Sequence, residues 1–153
     1  MADAFFRANV GACVIDGAGR VLALRRRGVT GQAWQMPQGG IDEDESPREA
    51  VLRELREETG LKPADVELVA EHGQWLAYEL PPQFRRRKTG WGQAQKWFLL
   101  RARAGARVKP DGEEFDAFEW LPPAQLLSRV IAFRRPVYER VFAELLGAGA
   151  ASG

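Results

Sequence analysis

The chain has 153 residues, of which 45% are hydrophobic and 28% are charged, and its formal net charge at pH 7 is +1. This composition is typical of a folded globular protein and excludes a disordered or fibrous chain. No apolar run reaches the roughly 20 residues that a membrane-spanning helix needs, so we expect no membrane association. A chain of this length forms one domain, and we predict a single domain over residues 1–153 with an ordered core from about 7 to 146.

The use of cysteine and histidine narrows the classes of protein further. The single cysteine, Cys13, lies in an apolar stretch and cannot form an internal disulfide. The N-terminal sequence MADAFFRANV lacks the long apolar core of a signal peptide. These features predict a cytoplasmic protein with a buried, unreactive thiol. The lone histidine, His72, supports neither a zinc site nor a catalytic triad, and we expect it to be structural or exposed.

Hydrophobic periodicity predicts a mixture of strands and helices. The apolar segments 9–15 and 21–24 flank the turn Asp16-Gly17-Ala18-Gly19 and indicate a β-hairpin. Residues 27–35 and 81–92 are rich in turn formers and are predicted as loops. The remaining predicted elements outside the segment 46–60 are strands at 66–70, 74–80, 96–102 and 118–121, a short helix from Pro122, and a longer helix over 133–146.

The segment between Ser46 and Gly60 has the signals of a capped helix. Ser46 is a good N-cap, Pro47 suits the first helical position, and Glu49 completes a Ser-x-x-Glu capping box. Gly60 supplies the left-handed residue that commonly follows a helix. We therefore predict a helix of about three to four turns, a length that is common in globular domains.

Three carboxylates lie on one face of this predicted helix. Glu54 and Glu58 are one turn apart, and Glu57 falls beside them. Like charges at this spacing cost stability, so a solvated acidic face is the less attractive interpretation. Mg²⁺ and Mn²⁺ prefer carboxylate oxygens together with substrate phosphates. The face is therefore a candidate site for a divalent cation.

Residues 39–61 read GGIDEDESPREAVLRELREETGL and fit the pattern G-x5-E-x7-R-E-U-x-E-E-x-G-U, with U a bulky aliphatic residue, at every fixed position. This stretch resembles a Nudix box, the signature of hydrolases that cut a diphosphate linked to another moiety. The resemblance extends over about residues 7–146. It implies an α+β fold, the Nudix α/β/α sandwich with a mixed sheet between helices, which agrees with the predicted mixture of elements.

Further segments resemble two groups within that family, the bacterial RNA pyrophosphohydrolases and the related diadenosine tetraphosphate hydrolases of plants and bacteria. The segment GQAQKW (92–97) favours the dinucleoside enzymes, whereas the arginine-rich loop at 81–90 and the C-terminal segment AFRRPVYERV favour the RNA enzymes. The segments that carry this resemblance are WQMPQGG (34–40), WLAYELPP (75–82), GQAQKWFLL (92–100), EFDAFEW (114–120) and AFRRPVYERV (132–141).

The resemblance implies roles for individual residues at the cation site. Glu54, Glu57 and Glu58 match the glutamates of the box that bind metal, and the backbone of Gly39 matches a glycine that approaches it. Glu114 matches a glutamate outside the box that binds metal or acts near the attacking water, with an ordinary loop acid as the alternative. The general base has been assigned differently among family members, so Glu54, Glu57 and Glu114 all remain candidates for it.

The resemblance also implies roles in orientation and in substrate binding. Arg53 is expected to orient the metal carboxylates by pairing with Glu57, or by reaching Glu45 or Glu49. Tyr78 and Phe133 are equally well explained as core packing. The positions that hold phosphates or bases in the RNA-cleaving relatives are matched by Arg26, Tyr78, Gln93, Phe133 and Arg134.

The expected function is removal of pyrophosphate from the 5′-triphosphate end of RNA by attack of water on phosphorus, with Mg²⁺ as cofactor and Mn²⁺ or another divalent cation as a substitute. Asymmetric hydrolysis of dinucleoside polyphosphates, such as diadenosine tetraphosphate, is the alternative. A non-catalytic, nucleotide-sensing Nudix domain is a third interpretation, but such domains typically lose box glutamates that this chain keeps. The expected partners are thus 5′-triphosphorylated RNA or a dinucleoside polyphosphate, and no stable protein partner is evident.

Overall fold

The computed structural model describes residues 4–147, so the predicted domain limits at 1 and 153 lie outside the described residues. Among the described residues there are one seven-stranded sheet and three α-helices. The strands are β1 (Phe6–Ile15), β2 (Val21–Arg26), β3 (Trp34–Gln35), β4 (Gln38–Gly40), β5 (Val66–Glu79), β6 (Gly92–Ala102) and β7 (Phe115–Leu121). The helices are α1 (Pro47–Thr59), α2 (Pro123–Arg129) and α3 (Arg135–Val141), and α3 continues into a π-helical turn (Phe142–Leu146).

The sheet is mixed, as predicted. Its main order is β3-β2-β1-β6-β5, with β4 paired to β1 and β7 paired to β2. The central pair, β1 and β6, is parallel from Phe6 opposite Gly92 to Ile15 opposite Arg101, and the other pairs are antiparallel. Because β1 and β6 run parallel, their first residues lie side by side at the same end of the two strands.

Helices cover both faces of the sheet because side chains alternate along each strand. In β1, Cys13 and Ile15 belong to a core with α2 and α3, whereas Ala12 and Val14 belong to a second core with α1. This arrangement confirms the predicted α+β sandwich, and it places α1 on one face and α3 on the other. Within residues 4–147, no helix is long and apolar enough to cross a membrane.

The predicted caps of α1 are all present. The Ser46 hydroxyl accepts a hydrogen bond from the Glu49 backbone N–H, and the Glu49 carboxylate accepts one from the Ser46 N–H, each at 3.1 Å. Gly60 has a φ of 75° and donates its N–H to the carbonyl of Arg56. Val51 and Leu55 are buried against the sheet. Their burial fixes the rotation of α1 about its axis, and this rotation determines where the side chains of Glu54, Glu57 and Glu58 point.

The structure differs from the sequence-based prediction in three places. Segments 66–70 and 74–80 form one continuous strand, β5, because bulges in its pairing with β6 absorb the irregular residues between them. The predicted loop 27–35 ends in β3, and β4 follows where no strand was predicted; both strands are held by backbone pairing rather than by apolar alternation. The predicted helix 133–146 is divided, since Pro136 fits only the first turn of α3, and a separate 3₁₀ turn (Ala132–Arg134) precedes it.

Cys13 and His72 both lie inside the protein. The Cys13 thiol is fully buried, as predicted, and burial raises its pKa to about 12. The His72 ring is almost fully buried and contacts the Glu144 carboxylate through Nε2, which joins β5 to the π-helical turn. The structural alternative given for His72 is therefore the correct one.

Candidate functional site

The acidic face of α1 lies against the backbone of β4. The Gln38 N–H donates to Glu58 Oε1 at 3.2 Å, and a methyl group added at Gly39 would overlap the carboxyl group of Glu54. Glu58 is buried, with 3% of its surface exposed, whereas the side chain of Glu57 is 58% exposed. The three glutamates thus extend from the interior of the site to its rim.

Glu58 presents an unusual buried acceptor. Its Oε2 atom is shielded from solvent and is without a hydrogen-bond partner among the described residues. Burial raises the pKa of Glu58 well above its ordinary value, and the negative charges of Glu114 and Glu54 add to the effect. An unpaired buried carboxylate oxygen is costly. A divalent cation would supply the positively charged partner that this oxygen lacks.

Arg53 connects the acidic residues of the box. Its Nε and Nη2 donate to the two carboxylate oxygens of Glu45 at 2.7 and 2.9 Å, and Nη2 also donates to the Gly40 carbonyl at 2.8 Å. Nη1 donates to Glu54 at 2.9 Å and to Glu57 at 3.3 Å. The planar guanidinium group can donate to several acceptors at once in a fixed geometry, which the single ammonium group of a lysine cannot do. Of the three predicted partners, Glu45 and Glu57 are contacted.

The third predicted partner, Glu49, is committed to the helix cap instead. Glu49 belongs to the first turn of α1, one helical turn before Arg53, and its carboxylate accepts the Ser46 N–H there. Glu49 therefore fixes the start of α1, the helix that carries the candidate metal ligands Glu54, Glu57 and Glu58.

Glu114 approaches the α1 glutamates from the segment that precedes β7. The Asp111 carboxylate accepts hydrogen bonds from the N–H groups of residues 113, 114 and 115, each at 3.0 Å, which fixes this turn. Partial burial raises the pKa of Glu114, while the cation of Arg26 opposes the rise. The charge of Glu114 also raises the pKa of both Glu54 and Glu58. Glu114, rather than the adjacent Glu113, therefore belongs to the site.

The carboxylates of these residues are the kind of ligand that a hard cation prefers, but their oxygens do not converge on a common point in this structure. Within residues 4–147, no cluster of three or more acid, histidine or cysteine side chains has the geometry of a metal site. The carboxylates of Glu54 and Glu57 instead accept hydrogen bonds from the guanidinium group of Arg53. The donor set nevertheless consists of carboxylate oxygens and the backbone at Gly39, which is the ligand chemistry that Mg²⁺ and Mn²⁺ favour.

A cavity of about 490 Å³ opens beside Gly39 and Glu114. Four of the five predicted substrate-binding residues line it, namely Arg26, Gln93, Phe133 and Arg134. Several of the lining residues carry amide or guanidinium groups, and others are apolar. The cavity therefore combines the carboxylate of Glu114 with cationic and aromatic walls, as a ligand that has both phosphates and a base requires.

The fifth predicted residue, Tyr78, lies behind the cavity wall. It is buried, its ring stacks on Phe133 with centroids 5.6 Å apart, and its hydroxyl donates to Gln93 Oε1 at 2.6 Å. Tyr78 thus supports two lining residues. Phe133 also contacts Phe84, at 5.8 Å between centroids, and the guanidinium of Arg134 lies 5.3 Å from the Phe133 ring. Together these groups form an aromatic wall with a cation above it.

Several polar residues of the site were not predicted from the sequence. Gln95 is fully buried and donates to Asn9 at 2.8 Å and to Gln38 at 3.2 Å, while Gln35 accepts from Arg134 at 2.8 Å. Arg7 lines the cavity, and its guanidinium packs closely on Gly40. The alternation of Gln93 and Gln95 with apolar residues in β6 was the available signal, since buried amides need partners.

Comparisons with known proteins agree with this geometry. A family model described as the NUDIX domain matches residues 5–141. The chain is 49% identical over 148 residues to an RNA pyrophosphohydrolase of Teredinibacter turnerae, and the aligned region covers 92% of this chain and 85% of the relative. It is 42% identical over 146 residues to an RNA pyrophosphohydrolase of Pseudoalteromonas translucida, with coverages of 91% and 84%.

Two solved structures show the same fold. A dihydroneopterin triphosphate pyrophosphohydrolase of Escherichia coli superposes with a TM-score of 0.70 at 20% identity, over 88% of this chain and 95% of that one. An Ap4A hydrolase of Caenorhabditis elegans superposes with a TM-score of 0.70 at 19% identity, over 92% and 98%. At such low identity these likenesses concern the fold alone.

Proposed function

Since the chain belongs to the Nudix family, we propose that it is a hydrolase that removes pyrophosphate from the 5′-triphosphate end of RNA. The reaction breaks the anhydride bond between the first and second phosphates, takes up one water, and leaves a 5′-monophosphate. We also propose that the single Nudix domain extends over the whole chain.

One observation carries the proposal: acidic, cationic and aromatic groups surround the same cavity. Gly39 and Glu114 lie at its acidic side, Arg26 and Arg134 supply cations, and Phe133 supplies a flat ring. A triphosphorylated RNA end needs all three kinds of group, because its phosphates are anionic and its first bases can stack on aromatic rings. Relatives named RNA pyrophosphohydrolase at 42–49% identity support the same substrate.

We propose Mg²⁺ as the cation, with Mn²⁺ as a substitute. The residues that would hold it are Glu54, Glu57, Glu58, Glu114 and the backbone of Gly39. When bound, such a cation neutralises charge on phosphate oxygens and lowers the pKa of a coordinated water. The Oε2 atom of Glu58, which has no hydrogen-bond partner in the described part of the chain, supports this assignment.

The protein's own groups then have separate tasks. One glutamate accepts the proton of the attacking water, and Glu54, Glu57 and Glu114 are the three candidates for this general base. Arg26 and Arg134 are cations near Glu114 and lie in the cavity wall, where they stabilise negative charge on the phosphates. No covalent enzyme intermediate is required, so water reacts directly with phosphorus.

Asymmetric hydrolysis of dinucleoside polyphosphates is the second candidate function. The observation that favours it is the pair of neighbouring rings, Phe84 and Phe133, which both line the cavity. Two rings offer more stacking area than one base needs. The same acidic and cationic groups would bind the bridging phosphates.

A competition assay separates the two functions. Equal amounts of a short 5′-triphosphorylated RNA and diadenosine tetraphosphate are offered with Mg²⁺, and Glu57→Gln serves as control because its exposed side chain can be changed without disturbing the core. We expect a higher kcat/KM for the RNA, with release of pyrophosphate, and strongly reduced turnover by the variant. Preference for the dinucleotide would support the second function. No turnover of either substrate would instead indicate a non-catalytic, nucleotide-sensing domain.

A further inference from the structure

We propose that a surface next to the cavity binds the single-stranded RNA that follows the 5′ end. This surface, here called the basic rim, consists of Phe5, Trp91 and the four cations Arg85, Arg86, Arg87 and Lys88. The inference rests on the proposed RNA function and extends it, because it concerns nucleotides beyond those that the cavity can enclose.

The aromatic part of the basic rim is exposed to solvent. Trp91 is 38% exposed and Phe5 is 37% exposed, so part of each ring is accessible to a ligand. The guanidinium of Arg85 lies 4.8 Å from the centroid of the Trp91 ring. A cation stacked on an indole leaves flat surfaces on which bases can stack.

The cations of the basic rim have no acidic partner within residues 4–147. None of the four cations from Arg85 to Lys88 forms a salt bridge with another described residue, although Arg20, Arg25 and Arg140 all do. Arg85 and Arg86 donate only to uncharged acceptors, such as the carbonyls of Leu80 and Gln83. Adjacent cations repel one another, so an anionic ligand would stabilise this arrangement.

The loop that carries these cations is held in place. The Leu80 N–H donates to the Trp91 carbonyl at 2.7 Å, and the Trp91 N–H donates to the Phe5 carbonyl at 2.9 Å. The Gly90 N–H closes a turn on the Arg86 carbonyl at 2.7 Å. The basic rim is therefore a defined surface, in which binding does not first have to order the chain.

The basic rim is continuous with the cavity. Phe84 and Thr89, which flank the four cations in sequence, both line the cavity. Trp91 precedes the lining residue Gln93 by two positions, and Phe5 precedes the lining residue Arg7 by two. Phe5 and Trp91 come directly before β1 and β6, the two strands from which Arg7 and Gln93 reach the cavity. A polynucleotide that enters the cavity with its 5′ end can therefore continue over the rim.

The chemistry of this surface favours single-stranded RNA over a protein partner. Cations interleaved with exposed rings match a chain that alternates phosphates with flat bases, and such surfaces accept many sequences. The position next to a cavity proposed for a 5′-triphosphate supports the same ligand, since the nucleotides downstream of that group must leave the cavity in some direction.

Binding can be tested without catalysis. A fluorescent 5′-hydroxyl RNA of about ten nucleotides, which carries no phosphoanhydride, is titrated with wild-type protein and with Arg87→Gln/Lys88→Gln, two exposed cations with no side-chain hydrogen bonds among the described residues. A plot of the logarithm of the binding constant against the logarithm of the salt concentration has a negative slope, and each phosphate contact adds about 0.7 to its magnitude. We therefore expect this magnitude to be smaller by about 1.4 for the variant. Trp91→Ala should weaken binding about tenfold through lost stacking.

A matched control lies at the other end of β6. Arg103→Gln/Arg107→Gln also removes two exposed cations, but these follow Ala102, which is about 33 Å from Gly92 at 3.3 Å per residue. We expect the control to retain wild-type affinity at low salt and a wild-type salt slope. If the control and the rim variant lose affinity equally, attraction to total charge explains the binding and the inference is overturned.

Kinetics then separate this inference from the proposed function. We expect a triphosphorylated RNA of about ten nucleotides to have a lower KM than a triphosphorylated dinucleotide, and the rim variants to lose this difference while they hydrolyse the dinucleotide normally. Equal KM values for long and short RNA in the wild type would overturn the rim alone. Rim-dependent binding without cleavage of any triphosphorylated RNA would support the rim and overturn the proposed function. Self-association that the rim variants abolish, without RNA binding, would make the surface a protein interface.

Discussion

Gly39 faces the carboxyl group of Glu54 across a gap that is too small for a methyl group. The contact joins β4 to α1, so the position of Glu54, a proposed metal ligand, depends on the absence of a side chain in the strand opposite. A Gly39→Ala substitution must push either β4 or the Glu54 carboxylate away. Because a displacement of about 1 Å at a reacting centre can cost about 100-fold in rate, we expect kcat to fall by about that factor.

The measurement is the initial rate on triphosphorylated RNA at saturating Mg²⁺, with the melting temperature as a check on folding. Gly73→Ala is the matched control, because no atom lies within 4 Å of the methyl group that it adds. That control should retain full activity. Wild-type kcat for a folded Gly39→Ala variant would show that the close approach to Glu54 has no role in catalysis.

Arg53 is the second position at which geometry leads to a sharp expectation. Arg53→Lys keeps the charge but cannot donate simultaneously to Glu45, Glu54, Glu57 and the Gly40 carbonyl. Loss of groups that orient metal ligands typically costs 10- to 100-fold in metal affinity or activity. We therefore expect the Mg²⁺ concentration for half-maximal rate to rise by about 10-fold.

The rate is measured against Mg²⁺ concentration for Arg53→Lys and for Arg56→Lys. Arg56 lies on the same helix, is exposed, and makes no side-chain hydrogen bond or salt bridge with the described residues. We expect Arg56→Lys to match the wild type. If Arg53→Lys also shows the wild-type Mg²⁺ dependence, the ion pairs of Arg53 stabilise the fold without orienting the cation ligands.

The sequence predicts best those features that depend on neighbours in the chain. The caps of α1 follow from spacing within one helix, and they are confirmed. The strand β4 has no comparable local signal, because it exists through backbone pairing with β1 some 30 residues earlier. Its residues could be recognised only by resemblance to known sequences.

The same distinction explains what could be predicted of the site. Glu54, Glu57 and Glu58 are brought together by one helix, so their spacing was sufficient. The place of Tyr78 depends on Phe133, which comes from a distant turn and covers it. Arg7 and Gln35 reach the cavity from other strands, and no periodicity indicates that they meet there. Non-local pairing, which the sequence does not encode in any short window, determines these neighbours.

Phe133 provides a test of the aromatic wall. Phe133→Leu keeps an apolar side chain over Tyr78 but removes the flat ring on which a base would stack. Stacking of a base on an aromatic side chain contributes about 1–3 kcal/mol, so we expect KM for triphosphorylated RNA to rise by about 10-fold with little change in kcat.

Phe118→Leu is the control for Phe133→Leu, since Phe118 is an exposed ring on β7 that does not line the cavity. Steady-state kinetics on one RNA substrate compare the two variants, and the control should have the wild-type KM. A lower kcat with an unchanged KM for Phe133→Leu would argue against base stacking and for a role in positioning the phosphates through Arg134, whose guanidinium packs on the ring.

Glu58 makes the stability of the cation-free protein depend on pH. Burial raises the pKa of Glu58 in the folded state above its ordinary value of 4.5. Between these two values the folded protein retains a proton that the unfolded chain releases, so stability falls as the pH rises through this window and levels off above it. In EDTA we therefore expect the melting temperature to decrease from pH 5 toward neutrality. Glu58→Gln, which cannot ionise, should show a weaker decrease and a higher melting temperature at pH 8.

A cation should reverse the cost of the Glu58 charge. A cation that binds only the folded state stabilises it by mass action, and Glu58 offers such a cation an oxygen that has no hydrogen-bond partner among the described residues. Thermal unfolding at pH 8 with and without Mg²⁺ should therefore show a larger upward shift for the wild type than for Glu58→Gln. Glu113→Gln, an exposed acid beside the site, should retain the full shift. Equal shifts for the wild type and Glu58→Gln would place the cation away from Glu58, and the ligand set would then have to be built on Glu54, Glu57 and Glu114.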